Sequence, residues 1–283
     1  MLGIYGLFFL FFLPLSSQKQ VLVDMTHSFD NTSTIYWPTM RKERFTLYDA
    51  GSDESTEEGY YTSYKFCAAE HGGTHLDAPK HFAMGAHASD EIPLDRLVGF
   101  AHVIDASAEA KLNRDLKITA EFLEAYERSN GRIPDDVILL IHTGFSSHWP
   151  NLEKYLGTST TDPKQLHFPG LERSSAEWLV KNRRIKSLGI DTASIDHGQS
   201  TTYDAHRVLM KQNIPAFENV KDIGKIAGRK GVMIYALPMK IKGGSGGPLR
   251  IIASYDDAVS FSNSLTSRLW LCFMALMLMF LAV

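Results

Sequence analysis

Apolar and polar positions fall into two kinds of block along the chain, and the blocks interleave. Four short runs are apolar almost without interruption: His102–Asp105, Val137–His142 (VILLIH), Leu188–Asp191 and Val232–Leu237 (VMIYAL). Runs this short and this continuous predict strands buried on both faces. Between them apolar positions recur at helical spacing. Thr119–Ser129 places Phe122, Leu123 and Tyr126 on one stripe and stops at Gly131. Ser174 and Glu177 stand at capping-box spacing at the start of SSAEWLVKNRR, and Tyr203–Gln212 supplies a third helical segment. Tyr60–Ala68, YYTSYKFCA, alternates approximately and predicts a strand that delivers the chain to His71, with Gly72 and Gly73 forming a tight turn. Strands alternating with helices predict an α/β domain with a mixed sheet.

Both ends depart from this pattern. Residues 2–15, LGIYGLFFLFFLPL, are followed by Ser16 and Ser17, which predicts a signal peptide over 1–17 although no Lys or Arg precedes it. At the other end Leu269–Val283 is a 15-residue apolar run with nothing after it, short of the ~20 residues a spanning helix needs. The small residues Ser260, Ser262, Asn263 and Ser264 precede it, so 259–283 has the layout of a glycolipid-anchor signal, with a tail anchor as the alternative. These readings predict a single body over 18–258 in the secretory pathway, extracellular or attached to a membrane through its C-terminal tail. Removing the tail removes Cys272 and leaves Cys67, which closes no intramolecular disulfide and is expected as a small buried hydrophobe in a strand. Asn31, Thr32 and Ser33 form a glycosylation sequon.

The composition, 44% hydrophobic and 22% charged over 283 residues, excludes a disordered chain. With a net charge of -3 and no run of Lys and Arg, there is no surface to track phosphates, and nucleic acid is not an expected partner.

The chemistry concentrates in His71–His81, HGGTHLDAPKH, where three imidazoles and one carboxylate share eleven positions. Imidazole nitrogen and carboxylate oxygen are ligands for zinc, manganese and similar divalent ions. His75 and Asp77, two apart, point to one side of an extended chain, and the two glycines let the backbone fold so that His71 joins them. Three protein ligands leave a position open for water, as a catalytic site needs. His81, beside the ligands without having to be one, fits a proton shuttle.

This segment resembles the HxGTHxDxPxH signature of the cyclase family, which includes bacterial-type kynurenine formamidase and isatin hydrolase. The resemblance extends to Asp24–His27, to Trp37 and Pro38, to Gly189–Thr192 with Ser194–Asp196, and to Gly246–Pro248 with Arg250. It implies a swivelling β/β/α fold, a homodimer, and one or two divalent ions, zinc or manganese, held by His71, His75, Asp77, His206 and Glu218, with Asp77 bridging when two are bound. It further implies that His81 is the catalytic acid/base and that Trp37 packs on the substrate ring. Thr39 after Pro38, His197 after Asp196 and His142 before Thr143 depart from the family's usual residues and bear on the substrate. The remaining histidines, His27, His87, His102, His148 and His167, read as structural or surface residues.

The function so implied is metal-dependent hydrolysis of a small aryl amide, N-formyl-L-kynurenine to kynurenine and formate. Alternatives are hydrolysis of isatin or another cyclic amide or ester, a surface protein that kept the fold without catalysis, and a metal oxygenase of the two-His, one-carboxylate type. For the last, His206 and Glu218 have no place.

Overall fold

The computed structural model describes residues 19–53 and 59–257. The segments expected to be a signal peptide (1–17) and an anchor signal (259–283), the latter with Cys272, lie outside the described residues. Leu22–Ser254 form one compact unit. Among the described residues no helix is long and apolar enough to cross a membrane.

The strands are β1 (Lys19–Asp24), β2 (Thr46–Asp49), β3 (Tyr64–Cys67), β4 (His75–Asp77), β5 (Val98–Asp105), β6 (Lys117–Ile118), β7 (Ile138–His142), β8 (Gly170–Leu171), β9 (Ser187–Ile190), β10 (Ala216–Glu218), β11 (Met233–Pro238) and β12 (Gly246–Asp257). The helices are α1 (Leu94–Leu97), α2 (Ser107–Leu112), α3 (Ala120–Asn130), α4 (Leu152–Leu156), α5 (Arg173–Asn182) and α6 (Asp204–Met210). One sheet runs β1-β12-β11-β5-β7-β9-β10-β4, and a further pairing of β4 with β12 closes it into a barrel-like ring. β5, β7, β9 and β10 are parallel, and the β10–β4, β4–β12, β12–β11 and β11–β5 pairs are antiparallel. This is the mixed-sheet α/β class expected from the patterning.

The continuous apolar runs form the centre of the sheet because parallel strands are covered on both faces. In β7, Ile138–Ile141 are all fully buried. Leu123 of α3, Leu179 of α5 and Leu209 of α6 join Leu139, Ile141, Leu188 and Ile190 in one core. Each such buried side chain contributes ~1.5–3 kcal/mol. The Thr119 side chain accepts from the Phe122 N–H and caps α3, and Gly131 ends the helix at φ 89°, the stop that the pattern predicts.

Two expectations are corrected. Ser174 does not cap α5: the helix begins one residue earlier, Ser174 Oγ accepts from the Ala120 N–H of α3 (3.3 Å), and Glu177 takes Arg173 Nε (2.7 Å). The tertiary contact with α3 and an i,i+4 ion pair have displaced the local capping box. Cys67 is exposed rather than buried. The strand predicted over Tyr60–Ala68 shrinks to β3, which pairs only with β2 in a separate two-stranded sheet, so nothing in the barrel covers it.

Candidate metal centre

β4 is three residues long and wholly buried. Alternation sends Leu76 to one side and His75 and Asp77 to the other. The strand is pinned on both edges: β10 sets Glu218 opposite His75, and β12 sets Gly246 opposite Asp77. Gly72 and Gly73 bring the chain in. A Cβ on Gly72 would lie 2.0 Å from the Tyr36 ring, and Gly73 sits at φ +59°, so neither position accepts another residue without strain. α6 presents His206 from the opposite wall.

The resulting contacts centre on Asp77. Its Oδ1 lies 2.5 Å from His71 Nδ1 and 3.1 Å from His75 Nε2, and its Oδ2 lies 3.1 Å from His206 Nε2. Glu218 completes the set, with Oε1 3.0 Å from His206 Nε2 and Oε2 3.6 Å from His75 Nε2. His81 stacks on His71 with ring centroids 3.8 Å apart. Two groups of three ligand atoms, His71–Asp77–His81 and His75–Asp77–Glu218, each lie within 4.8 Å of one another and share Asp77.

The outward nitrogens of the three imidazoles are already engaged. His75 Nδ1 donates to the Gly73 carbonyl (3.0 Å). The Ser245 hydroxyl gives its hydrogen to Glu70 Oε2 (2.5 Å), so it accepts from His71 Nε2 (2.8 Å). His206 Nδ1 lies 2.6 Å from Asp196 Oδ2. The inward nitrogens, His71 Nδ1, His75 Nε2 and His206 Nε2, therefore face the carboxylates, an arrangement in which neutral rings turn lone pairs toward a cation.

Polar groups this deep need compensation, since His75, Asp77, His206 and Glu218 are only 3%, 2%, 2% and 5% exposed. Without a cation the groups compensate one another. Burial pulls the His75 pKa down, but Asp77 and Glu218 outweigh it and hold the ring at about 9. Burial likewise opposes protonation of His206, and hydrogen bonds to Asp196, Asp77 and Glu218 carry its pKa well above the ordinary value. Burial favours a neutral Asp77, yet His71, His75 and His206 keep its carboxyl well below the usual range. His81 behaves differently: burial and the neighbouring rings overcome the attraction of Asp77 and lower it to about 4, so it is neutral near pH 7. Imidazole and carboxylate donors, buried together and charged only through one another, fit a divalent cation.

The cluster forms the floor of a cavity of about 250 Å³ whose walls include Ile35, Trp37, Met40, Phe82 and Tyr203. Trp37 packs edge-on against Phe168 and Tyr203 at centroid distances of 6.5 and 6.0 Å. All six polar residues singled out from the sequence, together with Trp37, line this one cavity. Asn31 lies elsewhere, on an exposed turn where its Oδ1 accepts from the Leu47 N–H. His142 pairs with Asp105 and does not line the cavity.

Three contributors carried no individual signal in the sequence, Glu70, Tyr203 and Ser245, and Asp196 entered only as the end of the Ser194–Asp196 element of the resemblance. Glu70 abuts His71 and Ser245 lies within a glycine-rich stretch, but only folding brings them together. Tyr203 adopts a left-handed conformation at φ 51°, uncommon for a residue with a side chain, just before α6.

A family model described as "Putative cyclase" matches residues 23–197. The chain is 29% identical over 197 residues to an isatin hydrolase of Roseibium aggregatum, covering 67% of this chain and 73% of the relative. It is 27% identical to a kynurenine formamidase of Salinibacter ruber over 82% of this chain and 96% of the relative. Among solved structures, isatin hydrolase A of Ralstonia solanacearum superposes with a TM-score of 0.73 at 31% identity, covering 83% of this chain and 92% of that one.

Proposed function

The chain belongs to the cyclase family and is an enzyme, a hydrolase of the metal-dependent kind, and from that premise we propose that it hydrolyses an aryl formamide, with N-formyl-L-kynurenine as the leading substrate. The observation that carries the reading is Asp77, whose two oxygens face separate imidazoles at the floor of an aromatic-walled cavity. His71, His75, Asp77, His206 and Glu218 would hold one or two divalent ions, zinc or manganese. When bound, the ion supplies Lewis acidity toward the amide carbonyl and acidifies a water.

The side chains supply the rest. Trp37, Phe82 and Tyr203 hold the aryl ring and exclude bulk water, and an aromatic contact of this kind contributes ~0.5–1.5 kcal/mol beyond area burial. His81, neutral at rest, accepts a proton from the attacking water at a ring nitrogen. It then returns that proton to the departing nitrogen as the carbon–nitrogen bond breaks, giving formate and the free amine.

A second reading, ring opening of an isatin-type cyclic amide, is favoured by the cavity wall. Among the described residues no Lys or Arg lines it, which suits an uncharged ring better than a zwitterionic side arm. The same proposal places the enzyme in the secretory pathway as a homodimer, on the strength of its terminal segments and its family. The deciding experiment compares kcat/KM for N-formyl-L-kynurenine and isatin before and after chelation of the purified protein. Full turnover by stripped protein would sink the metal reading, and a preference for isatin would replace the first substrate with the second.

A further inference from the structure

We propose that Asp196 is a positioning residue of the metal centre, one that selects the tautomer of His206 and so aims the Nε2 lone pair between Asp77 and Glu218. The assignment rests on the metal reading above.

Asp196 is 1% exposed but does not line the cavity, so no contact with substrate explains its burial. Its four close donors do. Oδ1 accepts from the Ala205 N–H (3.0 Å) and the Ser200 hydroxyl (3.3 Å), while Oδ2 accepts from the His206 N–H (3.2 Å) and from His206 Nδ1 (2.6 Å). One carboxylate thus fixes both the backbone that starts α6 and the ring that the helix carries. The shortest of the four bonds is the one to the ring.

The three imidazoles differ in what their outward nitrogen meets. For His75 it is a neutral carbonyl and for His71 a hydroxyl, whereas for His206 it is a buried carboxylate. A carboxylate acceptor holds the proton on Nδ1 and makes the opposite nitrogen a stronger donor to a cation. An amide at position 196 cannot reproduce this. If its oxygen keeps the Ala205 N–H, its NH2 faces Nδ1 and drives the ring proton to Nε2, where it points at Asp77 and Glu218 and blocks the ligand position. If instead the oxygen faces Nδ1, the NH2 opposes the Ala205 N–H.

The test is zinc affinity by competition with a chromophoric chelator, on wild type, Asp196→Asn and Ser200→Ala. Asp196→Asn is expected to bind zinc ~10–100-fold more weakly, with activity recovering as zinc is raised, and Ser200→Ala is expected to match wild type. A residue that served only to start α6 would lower the melting temperature and leave the zinc affinity of the folded protein alone, and that result overturns the assignment. Should Asp196→Asn not fold, 15N NMR of zinc-loaded wild type decides: His206 with its proton on Nδ1 and none on Nε2 supports the assignment, and a proton on Nε2 overturns it. Wild-type protein that binds neither zinc nor manganese overturns the metal reading itself, whereas equal binding by wild type and Asp196→Asn overturns only this inference.

Discussion

β3 and β4 lie close together in the chain and have opposite fates. Tyr64, Lys65, Phe66 and Cys67 of β3 are all exposed, whereas His75, Leu76 and Asp77 of β4 are all buried. Hydropathy alone would reverse them, with the aromatic strand inside and the histidine–aspartate strand at the surface. The difference lies in their neighbours: β4 is held between β10 and β12 in the barrel, while β3 has only β2. Burial is conferred by partner strands, and a polar strand tolerates it only when its charges are answered in place. An enclosed polar strand is thus the stronger pointer to function, because the fold must hold it against its solvation preference.

Asp77→Ala attacks the comparison most directly. It leaves His75 and His206 buried, and His71 half-buried, around a missing acceptor, a loss of ~3–5 kcal/mol for breaking a buried charged set. Bound metal should disappear on elemental analysis, and kcat/KM should fall by at least ~10³-fold, equivalent to ~4 kcal/mol of barrier. Retention of either would show that the strand is buried for packing alone. His81→Gln separates chemistry from binding: kcat should drop by ~10²–10⁴-fold while metal content stays at the wild-type level.

A buried polar group can also be accommodated by giving up its charge, and His27 is the instance. It stacks on Trp149 at 4.2 Å, and burial, helped by Lys221, lowers its pKa to about 4 from 6.5. Between those values the unfolded chain binds a proton that the folded chain refuses, so stability falls as pH drops from 6.5 toward 4 and levels off below. The term amounts to ~2–3 kcal/mol, and His27→Gln should remove it from the difference between urea unfolding at about pH 4.5 and about pH 7. An unchanged pH slope would mean that His27 titrates alike in both states.

The smallest effect is expected from the other strand. Phe66→Ser, at a side chain 50% exposed, should change stability by no more than ~0.5 kcal/mol. A loss several times larger would show that the β2–β3 hairpin is covered in solution and that the contrast with β4 is one of partners still to be found.

The sequence by itself determined the central strands, the amphipathic stripe of α3 and the local cluster His71, His75, Asp77 and His81, because each follows from periodicity or from residues a few positions apart. The cyclase resemblance added His206 and Glu218, which alone look like a polar position on a helix and a solvated strand end. Tertiary structure decided what local pattern cannot encode. Ser174 was drawn from a capping box to the start of α3, and Cys67 was left outside. Glu218 was set beside His75 by the β10–β4 register, and Asp196 was set behind His206. Strand register and helix docking are fixed by the packing of distant surfaces. The orientation of the imidazoles, and with it the capacity to hold a cation, therefore exists only once the barrel has closed.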